Sequence, residues 1–412
     1  MEKIEKKINV GIGFATGRKR FPDVLKTYVN NWNDSDFGNK NIAVHLFIAY
    51  DLSYKNTKES DFKTFDAETL SLVASAHYLS NSIIASEAQE MVHKKIISKK
   101  EAALIFSGGY AGKRNAILYY AIKNKMDYLI FIDDDEYPVA VVKTKNHLAW
   151  VGQEVFATHL KYLPNCDITH GHHCGYISPI PSFEFNENLS EDEFKIFIEA
   201  ISNDIITWDS IKEKIDSGGV QYADKNILED ISSHTVEEIG GMKFISGANL
   251  GINLKSPEKI FAFYNPPKAR GEDTFLSTCL GSANTQKVPC YTFHDGFEEY
   301  TNLLFGVLPT KLKPIEPNSA FIQKRFYNAA VGWSRYKPLL LYITKRENYE
   351  VEINNMQKSL AFVLPKISKY FGNDSFNKIL DEVVYYSQHV KEHFNSFQKT
   401  KVAWTKIMRC MK

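Results

Sequence analysis

Three short, continuously apolar runs separated by helical patterning set the strongest limit on what this chain can fold into. Residues 8–14 (INVGIGF), 42–50 (IAVHLFIAY) and 128–132 (YLIFI) lack a polar–apolar alternation, as strands covered on both faces do. After the first run, Leu25, Tyr28, Val29 and Trp32 recur at helical spacing; before the third, residues 113–125 read as a helix following a loop from Gly108 to Gly112. Strands alternating with helices imply an α/β class, Rossmann-like, with a mostly parallel sheet flanked by helices. Ligands of such sheets collect at the carboxyl ends of the strands. Asp51, the Gly108 loop and Asp133-Asp134-Asp135 all fall at expected strand ends, so one cleft can gather them.

The remainder is less regular. Residues 60–106 are mixed, with a strand expected at 102–106, and residues 240–254 return to strand-like alternation with glycine turns. Arg270-Gly271-Glu272-Asp273 opens a helix whose apolar face includes Phe275, Leu276 and Leu280, and a strand near 288–293 runs into His294-Asp295-Gly296. From about residue 315 the periodicity is helical.

Charge divides the chain. Residues 183–240 hold 15 acidic and 4 basic side chains, whereas residues 305–412 hold 18 basic and 8 acidic. We therefore expect a catalytic α/β domain over 1–304, interrupted by an acidic helical insertion at 183–240, and a basic helical C-terminal domain over 305–412. The C-terminal helices would serve either as a solvated bundle pairing with the insertion or as a peripheral membrane contact or homo-oligomer surface. The net charge of +1 leaves no electrostatic footprint for nucleic acid. Five scattered cysteines without a CxxC pair, no apolar run long enough to span a bilayer and no signal-peptide core give a cytoplasmic expectation, with the membrane's inner face as the alternative.

The chemistry concentrates in YLIFIDDDEYP. A diphosphate needs its charge neutralised, and Mn²⁺ or Mg²⁺ held by carboxylates does this, with phosphate oxygens completing the shell. On an extended segment Asp133 and Asp135 would point the same way, one toward a ribose and one toward the metal. The competing reading is a solvated acidic turn, which three acids behind a buried strand make less ordinary.

Together these motifs resemble the GT-A glycosyltransferases, and among them the large inverting group that includes many bacterial polysaccharide synthases. The resemblance covers roughly residues 8–300. It implies transfer of a sugar from a nucleotide-diphosphate donor, UDP-linked by preference, onto a glycan, lipid-linked or protein acceptor in surface polysaccharide or glycoconjugate synthesis. By the same resemblance Thr16, Arg18 and Asp51 would contact the nucleotide, and Lys113, Arg114, Asp133 and Asp134 would line the nucleotide-sugar cleft. Asp133 and Asp135 would hold the metal, and His294 would close its shell. Glu272 and Asp273 supply the catalytic carboxylates, with Asp273 as the base. The start of a helix would keep both ionised. One direct displacement inverts the anomeric centre.

Lys19 and Arg20 beside Arg18 leave open which cation meets the donor, and Asp295 is a second choice of ligand. His170, His172 and His173 suit zinc poorly, because adjacent residues on a strand face opposite ways and no second cluster completes a tetrahedral set. Contact with the acceptor or diphosphate, or a structural role, remain for them. Asn249 reads first as a turn residue. Two other functions stay open: a sugar nucleotidyltransferase, and an inactive glycan-binding scaffold on the same fold.

Overall fold

The computed structural model describes residues 7–34, 41–53, 56–202 and 208–411; the charged N-terminal stretch 1–6 lies outside them. Eleven strands occur among these residues. They are β1 (Ile8–Thr16), β2 (Ile42–Tyr50), β3 (Val73–Leu79), β4 (Tyr128–Phe131), β5 (Glu136–Tyr137), β6 (Val139–Lys143), β7 (Leu148–Gly152), β8 (Ile168–Tyr176), β9 (His234–Thr235), β10 (Leu250–Asn253) and β11 (Thr285–Asp295). The main sheet runs β3-β2-β1-β4-β10-β8-β11-β5, with β9 beside β11, and β6–β7 form a separate hairpin. β1 to β4 are mutually parallel, as the apolar runs require, and all four residues of β4 are buried. β10 is inserted antiparallel between β4 and β8.

The strand order fixes where a ligand can enter. From β1 the chain moves outward through β2 to β3, then returns to place β4 on the other side of β1. Connections therefore diverge between β1 and β4, and the crevice so opened lies beyond the carboxyl ends of those two strands. Thr16 ends β1, and Asp133 to Asp135 follow β4.

Helix Phe21–Asp34 covers one face of the sheet through Phe21, Val24, Leu25, Tyr28, Val29 and Trp32, all buried. Each such side chain contributes on the order of 2 kcal/mol by leaving water. Residues 102–106 are not a strand: Lys99–Ile105 is a helix, started by a reciprocal cap between Ser98 and Glu101. That cap settles a segment whose side chains lack a clear period.

The acidic insertion and the basic C-terminal region pack together within one chain. Phe194, Phe197 and Trp208 share an apolar cluster with Phe326, Leu360, Phe371 and Phe376. Oppositely charged pairs such as Lys366–Glu193 decorate the rim, but exposed pairs add little, so apolar burial holds this contact. The last helix, Val390–Cys410, returns to the sheet side, where Trp404 and Ile407 are buried and Lys406 meets Glu101 at 2.6 Å. Among the described residues no helix is long and apolar enough to cross a membrane. All five cysteines are free thiols.

Candidate active site

The acid triplet sits in a turn rather than on an extended strand, because β4 ends at Phe131. Its three carboxylates consequently take three directions. Asp134 accepts hydrogen bonds from the Thr16 hydroxyl and the Arg18 guanidinium, both at 2.5 Å. Asp135 lies 2.7 Å from Arg18 Nη1 and 3.4 Å from His294 Nε2. Asp133 accepts from Arg114 Nη2 at 2.9 Å.

Two adjoining clefts result. The smaller, of about 100 Å³, is lined by Thr16, Arg18, Asp51, Lys113 and Asp134, with Gly109 and Tyr110 from the glycine loop. Lys113 Nζ reaches Asp51 at 3.0 Å across it. Burial raises the Asp51 carboxyl, but hydrogen bonds from Ser53 and Lys113 outweigh this and hold it below its usual range. The larger cleft, of about 660 Å³, takes in Arg114, Asp133, Glu136, Glu272, Asp273 and His294, a volume in the range of small-molecule sites. Of the basic cluster, Arg18 lines the smaller cleft, Lys19 is exposed, and Arg20 sits 3.8 Å from Asp295.

Helix Tyr110–Lys123 delivers Lys113 to the small cleft and Arg114 to the large one. Its start is dictated by two glycines. Gly109 has φ of 93°, which favours glycine, and a Cβ on Gly112 would stand 1.7 Å from the Ser107 carbonyl oxygen. We expect Gly112→Ala to destabilise the protein by about 2 kcal/mol, measured by chemical denaturation; wild-type stability would refute this tight approach.

Burial, opposed by Arg114 and reinforced by Glu136, raises the Asp133 carboxyl. Burial also raises that of Glu272, helped by the neighbouring Asp273 charge. Helix Glu272–Ser277 is short, and at Glu272 desolvation raises the carboxyl against the lowering that a helix start would give. Asp273 is held by two backbone N–H donors, Gly247 at 3.1 Å and Thr274 at 2.9 Å. At Asp135 burial is outweighed by the His294 and Arg18 charges, which hold the carboxyl far below its usual range. His294, despite burial, is pushed up to about 9 by Asp135.

Among the described residues no three His, Cys, Asp or Glu side chains converge as a metal set. Asp135 and His294 nevertheless form a pair suited to one. The His294 Nδ1 lies 2.8 Å from the Tyr176 carbonyl, and donation there leaves Nε2 to face Asp135, the usual arrangement of a ligating imidazole. Asp295 is fully buried, and its oxygens accept from the Glu299 and Tyr300 N–H groups.

The remaining candidates separate by role. Asn249 is fully buried at φ of 49° and ties His172 O to His159 Nε2, a structural clamp. His172 packs on Tyr291, whereas His173 meets Thr292 and Glu136 on the opposite face of β8. The sequence reasoning missed Gly247, whose carbonyl accepts from Arg114 and whose N–H donates to Asp273. It also missed Trp333 and Tyr336, which line the large cleft from the C-terminal helix Ala320–Thr344. It missed Glu136 as well, although that residue stands in the sequence as the fourth acid of DDDE.

No protein-family profile matches the chain, and no curated protein matches its sequence. Among solved structures, the crystal structure of S. aureus TarS is similar over 93% of this chain at 10% identity and a TM-score of 0.35. The chain spans 55% of that protein's chain.

Proposed function

We propose that the chain is a glycosyltransferase that moves a sugar from a nucleotide-diphosphate donor, UDP-linked by preference, onto an acceptor hydroxyl with inversion. One observation carries this reading. Five of the residues assigned to the nucleotide line the small cleft at the β1/β4 crevice, while Asp133, Glu272, Asp273 and His294 line the larger cleft beside it. The Asp133–Asp135 turn stands between the two.

In this reading Arg18 and Lys113 hold the nucleotide, and the exposed Tyr110 offers a ring at the cleft for a planar base. Asp135 and His294 would hold a divalent cation, Mn²⁺ or Mg²⁺, whose chemistry there is to neutralise the leaving diphosphate. Two protein ligands suffice when phosphate oxygens complete the shell. Arg114 keeps the Asp133 carboxylate fixed toward the larger cleft. Asp273, oriented by its two N–H donors, takes the acceptor proton as the new bond forms.

Incubation with a panel of nucleotide sugars and Mn²⁺ should release nucleoside diphosphate slowly from one donor, because water can stand in for the acceptor. Chelation with EDTA should weaken nucleotide binding by about tenfold or more, the loss of about 1.4 kcal/mol. Pyrophosphate release from a sugar 1-phosphate and UTP would instead establish a nucleotidyltransferase. Absence of nucleotide binding with or without manganese would end both readings.

A further inference from the structure

The larger cleft contains basic side chains that the transfer reaction does not use. On adjacent strands β8 and β11, His170 and Lys287 are register partners, so they stand side by side on one face of the sheet. Both line the cleft. His170 is 2% exposed, and neither of its ring nitrogens has a hydrogen-bond partner. Burial, together with the Lys287 charge, keeps its imidazole neutral well below the usual range, so it presents one N–H donor. Burial likewise lowers Lys287, and no charge partner opposes that shift. Lys214, from helix Trp208–Asp216, is a second half-buried ammonium lining the same cleft.

A buried, unpaired polar ring is costly to leave without a partner, and the two half-buried ammonium groups beside it have lost part of their hydration. A structural role would supply one from within the protein; here the partner is left to the cleft's occupant. Register also sets the separation. Phe131, Leu250, His170 and Lys287 follow one another across β4, β10, β8 and β11. Lys287 is thus three strands from the end of β4, about 14 Å at ordinary strand spacing. That is far enough from the Asp133 carboxylate to lie beyond the transferred sugar.

We propose that His170 and Lys287, with Lys214, form an oxyanion subsite in the larger cleft, and that the acceptor carries a phosphate or carboxylate seated there. The assignment to the acceptor rests on the transferase reading, whereas the subsite itself does not.

The test is titration calorimetry of the full chain with inorganic phosphate and, separately, glucuronate, with UDP and Mg²⁺ at saturation so that the donor cleft is filled. At least one anion should bind at a single site, and Lys287→Met should weaken it by about tenfold or more, the worth of one charge-assisted hydrogen bond. Phosphate alone binding identifies a phosphorylated acceptor, and glucuronate alone an acidic sugar. His170→Phe is the second variant, and a melting curve for each variant shows that it is folded. If UDP does not bind, the transferase reading fails while the anion titration still reads the subsite. Binding of neither anion, or equal binding by Lys287→Met, overturns the proposal.

Discussion

Asp273→Asn should lower the rate of donor hydrolysis, and of transfer once an acceptor is known, by about 10²- to 10⁴-fold, the usual contribution of a positioned base. The donor KM should change little, because Asp273 belongs to the larger cleft and the nucleotide residues to the smaller one. The geometry gives the base role to Asp273 rather than Glu272. Two backbone N–H groups fix its oxygens, so no rotation is needed before proton transfer. Glu272 lies 3.6 Å from Arg114 Nε, and its carboxyl is raised by burial. The Arg114 charge beside it makes Glu272 a less available proton acceptor than Asp273. Glu272→Gln should therefore cost much less than Asp273→Asn. The amide places an NH₂ against one of the two N–H donors, so a melting curve must accompany the rate. A folded Asp273→Asn within tenfold of wild type moves the base elsewhere, and the reverse order of losses moves it to Glu272.

The crevice was legible because β1, β2 and β4 are apolar without alternation and each ends at a polar cluster. The side-chain period alone carries that information, and no long-range contact was needed to read it. What sequence could not give was the divergence of Asp133, Asp134 and Asp135. Extended geometry pairs the first and third; the turn after Phe131 separates them and hands Asp135 to Arg18 and His294. Turn geometry depends on what waits on the far side, and His294 is about 160 residues away in the chain. The same distance hid Gly247, which acts only through its backbone, and Trp333, whose helix reads as ordinary bundle. Ser98 and Glu101 are a different case: their S-x-x-E spacing is itself a helix-start signature, and it marks the helix that the apolar residues at 102–106 alone do not.

Arg114→Met should destabilise the fold by about 3 kcal/mol, the lower end for breaking a buried charge pair. The side chain of Arg114 is 4% exposed, whereas that of Asp133 is 32% exposed and reaches the water of the larger cleft. That partial access argues for the lower end, because a wet carboxylate left alone costs less than a dry one. Four further contacts disappear with the guanidinium. It donates to the Gly247 carbonyl, stacks 5.2 Å from the Phe131 ring and 5.8 Å from the Phe263 ring, and faces Glu272. Methionine retains much of the apolar stem, so the loss reports the charge and its hydrogen bonds rather than a cavity. Because Gly247 also orients Asp273, the substitution should lower turnover as well as stability. Adding Asp133→Asn removes the stranded charge and should recover about 1 kcal/mol of the folding loss without restoring turnover. Urea denaturation of the two single variants and the double variant measures this coupling. Strict additivity would mean that Arg114 and Asp133 stabilise the protein independently, and the larger cleft would then lack the fixed carboxylate that donor placement requires.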